Sequence, residues 1–105
     1  MMQEYWWIDS DNLVKLTNLH DALTGNAIND ATVSAVFKDA AGSTLAEFDL
    51  TYVTDSNGDY AGEIPNDVGM AEGSSYTLTV TAVNGDDFKL VQRKTLEAAY
   101  YPGTN

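Results

Sequence analysis

The sequence predicts an all-β fold, an antiparallel β-sandwich of six to seven strands preceded by an N-terminal arm. Three observations carry this. In residues 75–82, Tyr76, Leu78, Val80 and Ala82 alternate with Thr77, Thr79 and Thr81, so one side is apolar and the other hydroxylated. Clusters of Gly, Asn, Asp and Ser break the chain into short runs of this kind. No long stretch shows the period of an amphipathic helix, and strands without helices pack sheet on sheet. With 105 residues, 44% of them hydrophobic, the chain is the size of one domain with a core of its own.

The elements follow in order. Residues 1–11 form the arm, where Tyr5, Trp6, Trp7 and Ile8 sit between Glu4, Asp9 and Asp11. Large aromatics near a chain end need burial, against their own domain or against a partner. Residues 12–99 form the sandwich. Residues 12–19 read as its first strand, with Leu13, Val14, Leu16 and Leu19 as apolar candidates, and Gly25-Asn26 marks the turn-rich connection that follows. In residues 31–38, Val33, Ala35 and Phe37 share a face, with Val36 on the wet side. A hairpin loop at 39–43 leads to a third strand, 44–54, where Ala46, Phe48, Leu50 and Tyr52 oppose Glu47, Asp49 and Thr51. Asn57-Gly58 suits the positive φ of a tight hairpin. Tyr60, Gly62 and Ile64 form the inner face of a short fourth strand that Pro65 ends, since proline cannot donate to a ladder. Residues 66–74 make a polar crossover with room for one helical turn. The strand at 75–84 follows, then a turn at 85–87 and a less regular last strand at 88–96 that holds Lys89, Arg93 and Lys94. Residues 97–101 either extend this strand or begin the tail, which is placed at residues 100–105 with Tyr100, Tyr101 and Pro102.

Composition excludes several functions. Sixteen acids against five bases give a net charge of −11. Such a field repels phosphates, which argues against nucleic acid and against an anionic membrane surface. It favours solubility at high local concentration. With no cysteine, disulfides and thiolate metal sites are absent, which leans towards assembly in the cytoplasm. No apolar run approaches the ~20 residues that cross a bilayer, and the N-terminus has no basic start, so neither a membrane span nor a secretory signal is expected.

No catalytic, cofactor-binding or metal-binding set is discernible. Asp55, Asn57 and Asp59 resemble the start of a calcium loop, but Tyr60 and Asn66 stand where an EF-hand needs glycine and a bidentate glutamate. An Asx-rich hairpin turn explains them better. Asp86 and Asp87 read as a solvated turn, although loop carboxylates of a sandwich can pool around calcium. His20 is the one histidine, and no serine lies in a nucleophile-elbow pattern. Tyr76 is expected in the core with its hydroxyl bonded to nearby backbone, as in the tyrosine corner of sandwich domains. Tyr52 and Tyr60 have the same explanation. The interface candidates are Tyr5, Trp6, Trp7 and Ile8, joined by Tyr100 and Tyr101, because Trp and Tyr so often dominate contact energy. Folding of the arm onto its own sandwich is the equal alternative.

Two stretches carry a resemblance. Leu23-Thr-Gly-Asn-Ala-Ile-Asn-Asp-Ala-Thr-Val33 is one. The other is Asp55-Ser-Asn-Gly-Asp-Tyr-Ala-Gly-Glu-Ile-Pro65 with the later Glu72-Gly-Ser-Ser-Tyr-Thr-Leu-Thr-Val80. Over residues 20–84 the chain resembles Ig-like and prealbumin-like sandwich modules, including carboxypeptidase-regulatory and Cna-B-type domains. More narrowly, it is similar to small Ig-like proteins encoded among the head and neck genes of tailed bacteriophages. It departs from Cna-B domains in lacking an evident isopeptide set, since Lys15 and Lys38 have no assignable partner. The resemblance implies a non-enzymatic structural protein of a virion, assembled in the host cytoplasm. Such a protein decorates or cements the capsid or joins the head–tail neck. Its partners are then major capsid or neck proteins and copies of itself. The alternative is a carbohydrate- or receptor-binding module of a fibre or adhesin.

Overall fold

A computed structural model describes residues 5–85 and 88–100, the side chain of Phe88 excepted. Its seven strands are β1 (Trp6–Trp7), β2 (Asn12–Leu16), β3 (Thr32–Asp39), β4 (Thr44–Tyr52), β5 (Tyr60–Ile64), β6 (Ser75–Asn84) and β7 (Phe88–Ala99). No described residue is helical, so the 66–74 crossover is built of turns alone. The strands join in the order β1-β7-β6-β3-β4-β5-β2. The sheet is mixed and not purely antiparallel, because β1 runs parallel to β7. It also curls on itself. Only Thr51 and Tyr52 of β4 pair with β5, so the sheet bends there, and its outer strand β2 returns to line a cleft shared with β7. The result is a nearly closed, barrel-like shell.

Alternation decides what the shell encloses. Val33, Ala35 and Phe37 of β3 are buried, as are Tyr76, Leu78, Val80 and Ala82 of β6, while their neighbours in sequence are more exposed. Register sets them side by side: Ala35 faces Val80 and Phe37 faces Leu78. Leu50, Tyr60 and Ile64 complete the other side of the core. Gly62 lies between Tyr60 and Ile64 because a side chain there has no room. A Cβ would meet the Asp49 carbonyl oxygen at 3.0 Å and the Phe48 ring at 3.3 Å.

The arm is part of this core. Trp6 is 1% exposed and Ile8 4%. The indole meets Phe37 edge-on at 5.3 Å, and Phe37 stacks on Tyr76 at 5.7 Å. Trp6 Nε1 donates to the Tyr76 carbonyl at 2.9 Å, and the Ile8 N–H donates to the Ala99 carbonyl at 2.9 Å. The chain then reverses through Asp9, whose φ is 56°. Buried Asn12 holds the reversal by accepting from the Trp7 N–H and donating to the Trp7 and Ser10 carbonyls.

Two strands end earlier than expected. β4 stops at Tyr52, not Thr54. β2 stops at Leu16, not Leu19, because Asn18 takes a φ of 58°. Leu19 nevertheless reaches the core, its N–H donating to the Gly58 carbonyl and its carbonyl accepting from Ile28. Of the two readings of residues 97–101, extension holds as far as Ala99, since residues 98 and 99 gain β1 as a second neighbour of β7.

Replacing Trp6 by alanine removes a filled core volume and a buried hydrogen bond. It should cost about 3–5 kcal/mol, a large share of a small domain's stability, read from urea unfolding. Gly58 has a φ of 103°, and a Cβ there would lie 2.5 Å from the Leu19 carbonyl oxygen. Gly58→Ala should therefore lower the urea midpoint, whereas Gly42→Ala meets no atom within 4 Å and should cost only the strain of its positive φ.

Candidate functional site

The expected contact residues separate into two groups. Trp6 and Ile8 are buried inside the domain. Tyr5 is exposed, Trp7 is half-buried and Tyr100 is exposed. Parallel pairing forces this split, because successive side chains of a strand point to opposite sides. Trp6 therefore points in with Ala98, and Trp7 lies opposite Ala99 on the other side. The Tyr5 and Trp7 rings touch, with centroids 5.7 Å apart and planes tilted by 45°. Tyr100 follows directly on the residue paired with Trp7. Beside them runs a shallow depression bordered by Tyr5, Thr95 and Glu97. The arm thus offers an aromatic patch fixed to a rigid strand pair. Tyr101 lies outside the described residues.

A second feature escaped the sequence reading. Between β2 and β7 lies a cleft of about 340 Å³, floored by Leu78, Val80 and the Trp6 indole. Its rims carry Lys15 from β2 and Arg93 and Lys94 from β7. Three of the chain's five bases therefore meet around one opening, and no acid is among the described residues lining it. Register explains how. Val80 lies opposite Gln92 and Leu78 opposite Lys94, so Gln92 and Lys94 occupy inward-facing positions of β7. Both are nevertheless exposed. The available signal was the break in alternation, with polar Gln92 and Lys94 on the face that Leu90 and Leu96 otherwise keep apolar.

The remaining candidates serve the fold. The Asp59 carboxylate accepts the Asn18 N–H at 2.9 Å, and Asn57 and Asp55 take positive φ in the hairpin turn. Asn and Asp tolerate that left-handed backbone, and the Asp59 carboxylate ties the turn to the segment after β2. His20 is exposed, and its Nδ1 lies 2.8 Å from the Asn18 carbonyl. Tyr76 does as expected: its buried hydroxyl accepts the Ala71 N–H at 2.7 Å. Tyr60 does the same for the long β2–β3 connection, donating to the Ile28 carbonyl at 2.7 Å and accepting from the Ala31 N–H. Among the described residues, no three His, Cys, Asp or Glu side chains come together as metal ligands. Asp86 and Asp87 lie outside those residues.

Comparison with protein-family models, with curated proteins and with solved structures finds no match to this chain.

Tyr60→Phe should cost about 1–3 kcal/mol, because two backbone groups lose a buried partner. Asp59→Ala, at a half-buried turn, should cost less, about 1 kcal/mol. Urea unfolding of the two variants beside the parent protein checks the order.

Proposed function

We propose that the protein is a non-enzymatic structural component of a tailed-phage virion, acting through protein–protein contacts as a capsid decoration or neck protein. Its partners are major capsid or neck proteins and further copies of itself, and it joins them in the host cytoplasm. One observation carries the reading: the arm anchors itself with Trp6 and Ile8 while turning Tyr5 and Trp7 outward as a touching aromatic pair. Aromatic anchors pre-ordered on a strand lose little entropy on docking. The net charge of −11 suits the outer surface of a DNA-filled particle better than its interior. On a symmetric lattice, many weak copies of one contact add up through multivalency.

The same proposal takes the fold as an Ig-like sandwich. In Ig domains, strands G, F and C form one sheet, extended by C′ in the variable type, and B and E belong to the other. The run β7-β6-β3-β4 followed by β5-β2 has that order, with β4 as the strand that passes between the sheets. This supports the Ig-like over the prealbumin-like alternative, and it agrees with the stretches at residues 23–33 and 55–80 that suggested such a module.

Labelled protein mixed with particles assembled from the capsid and neck proteins encoded beside its gene should sediment with them. Replacing Tyr5 and Trp7 together by alanine should weaken that binding about tenfold or more and leave the circular dichroism spectrum of the free protein unchanged. Absence of co-sedimentation, or glycan-array binding through the same two rings, would overturn the reading.

A further inference from the structure

The seam between β2 and β7 has the properties of a strand acceptor. β7 pairs with β6 from Phe88 to Glu97 on one side. On its other side, among the described residues, β1 covers only Ala98 and Ala99. β2 pairs with β5 along its whole length and ends the sheet on the opposite side. Among the described residues, both strands therefore bring to the same cleft an edge that no other strand pairs. Uncovered edges present unpaired N–H and C=O groups that can template another strand. The sheet stops short of closure at this place, and an added strand would continue its ladder.

The chemistry of the cleft says which strand. Its floor is apolar, Leu78 and Val80, and suits the inward side chains of an extended segment. Its rims are basic, with Lys15, Arg93 and Lys94, on a chain whose acids outnumber its bases by 16 to 5. Leu13 on the β2 rim and Val91 on β7 are more than half exposed. An edge built only to repel other strands would gain from polar residues at those two positions. We infer that this seam binds an extended acidic segment of a partner protein, which adds as a β-strand with apolar side chains inward and carboxylates at the basic rims. Main-chain hydrogen bonds supply affinity and the alternate side chains supply specificity. The site lies apart from the Tyr5–Trp7 patch and goes beyond the virion reading, which it does not require.

The test uses the full chain and a short, dye-labelled peptide in which glutamate and valine alternate. Anisotropy should show saturable binding, and amide exchange should slow along the seam-facing edges of β7 and β2. Arg93→Glu with Lys94→Glu, both exposed, should weaken binding by about tenfold or more with an unchanged circular dichroism spectrum. A peptide of the same charge with alternate backbone nitrogens methylated should lose a similar factor, because it cannot extend the ladder. Equal binding of the methylated peptide would reduce the seam to a charge attractant and overturn the inference. So would the absence of peptide binding, a preference for a sulfated polysaccharide, or dimerisation of the chain alone through these edges.

Discussion

The fold depends on the Trp6 indole. It joins three parts of the chain that are far apart in sequence: the arm that carries it, Phe37 of β3 at its ring edge and the Tyr76 carbonyl of β6 at its Nε1. A buried indole needs a partner for its N–H, and a carbonyl is available there. That requirement orients the ring, and the ring orients the arm. Once Trp6 faces inward, alternation sends Trp7 the other way, against Tyr5, and brings β1 alongside the end of β7. The aromatic patch, the parallel pair and part of the cleft floor all follow from one side chain.

Elsewhere the shell is held by polar groups that each satisfy backbone left over by the strands. Irregular segments that enter a core carry N–H and C=O groups that must be paired. The Tyr60 hydroxyl serves the connection at Ile28 and Ala31, the Tyr76 hydroxyl serves the crossover at Ala71, and the Asn12 amide serves the reversal after β1. No buried side-chain N or O atom among the described residues lacks a partner. Aromatic rings with a polar tip are well suited to this, since the ring fills core volume and the tip reaches out to the loop.

Charge and topology set the opening between β2 and β7 apart from the strands between them. Acids such as Glu47, Asp49 and Glu63 stand on exposed positions of β4 and β5. Basic side chains gather instead where the shell fails to close. A chain of 16 acids and five bases that gathers three of those bases at one opening steers a charged partner towards it. The aromatic patch and the basic seam therefore differ in what they attract. The first presents aromatic rings beside a strand pair, and the second presents an apolar floor under cationic rims.

Much of this was legible in residue order. The alternation in β3, β4 and β6 placed their core faces, Asn57-Gly58 marked the positive-φ hairpin, and Tyr76 was read as a core ring bonded to nearby backbone. These are local properties, set by the two-residue period of a strand and by the steric freedom of a turn. What the residues could not decide was which edges meet. The irregular pattern of β7 reads as noise until Leu78 and Val80 are found opposite Lys94 and Gln92. Likewise Tyr5, Trp6, Trp7 and Ile8 form one aromatic cluster on paper and two populations in space. Side-chain period belongs to each segment separately, whereas the parallel pairing of β1, the bend at Thr51 and Tyr52 and the approach of β2 to β7 join residues distant along the chain. Only packing around a shared core selects among such long-range arrangements, and the candidate sites exist only after that selection.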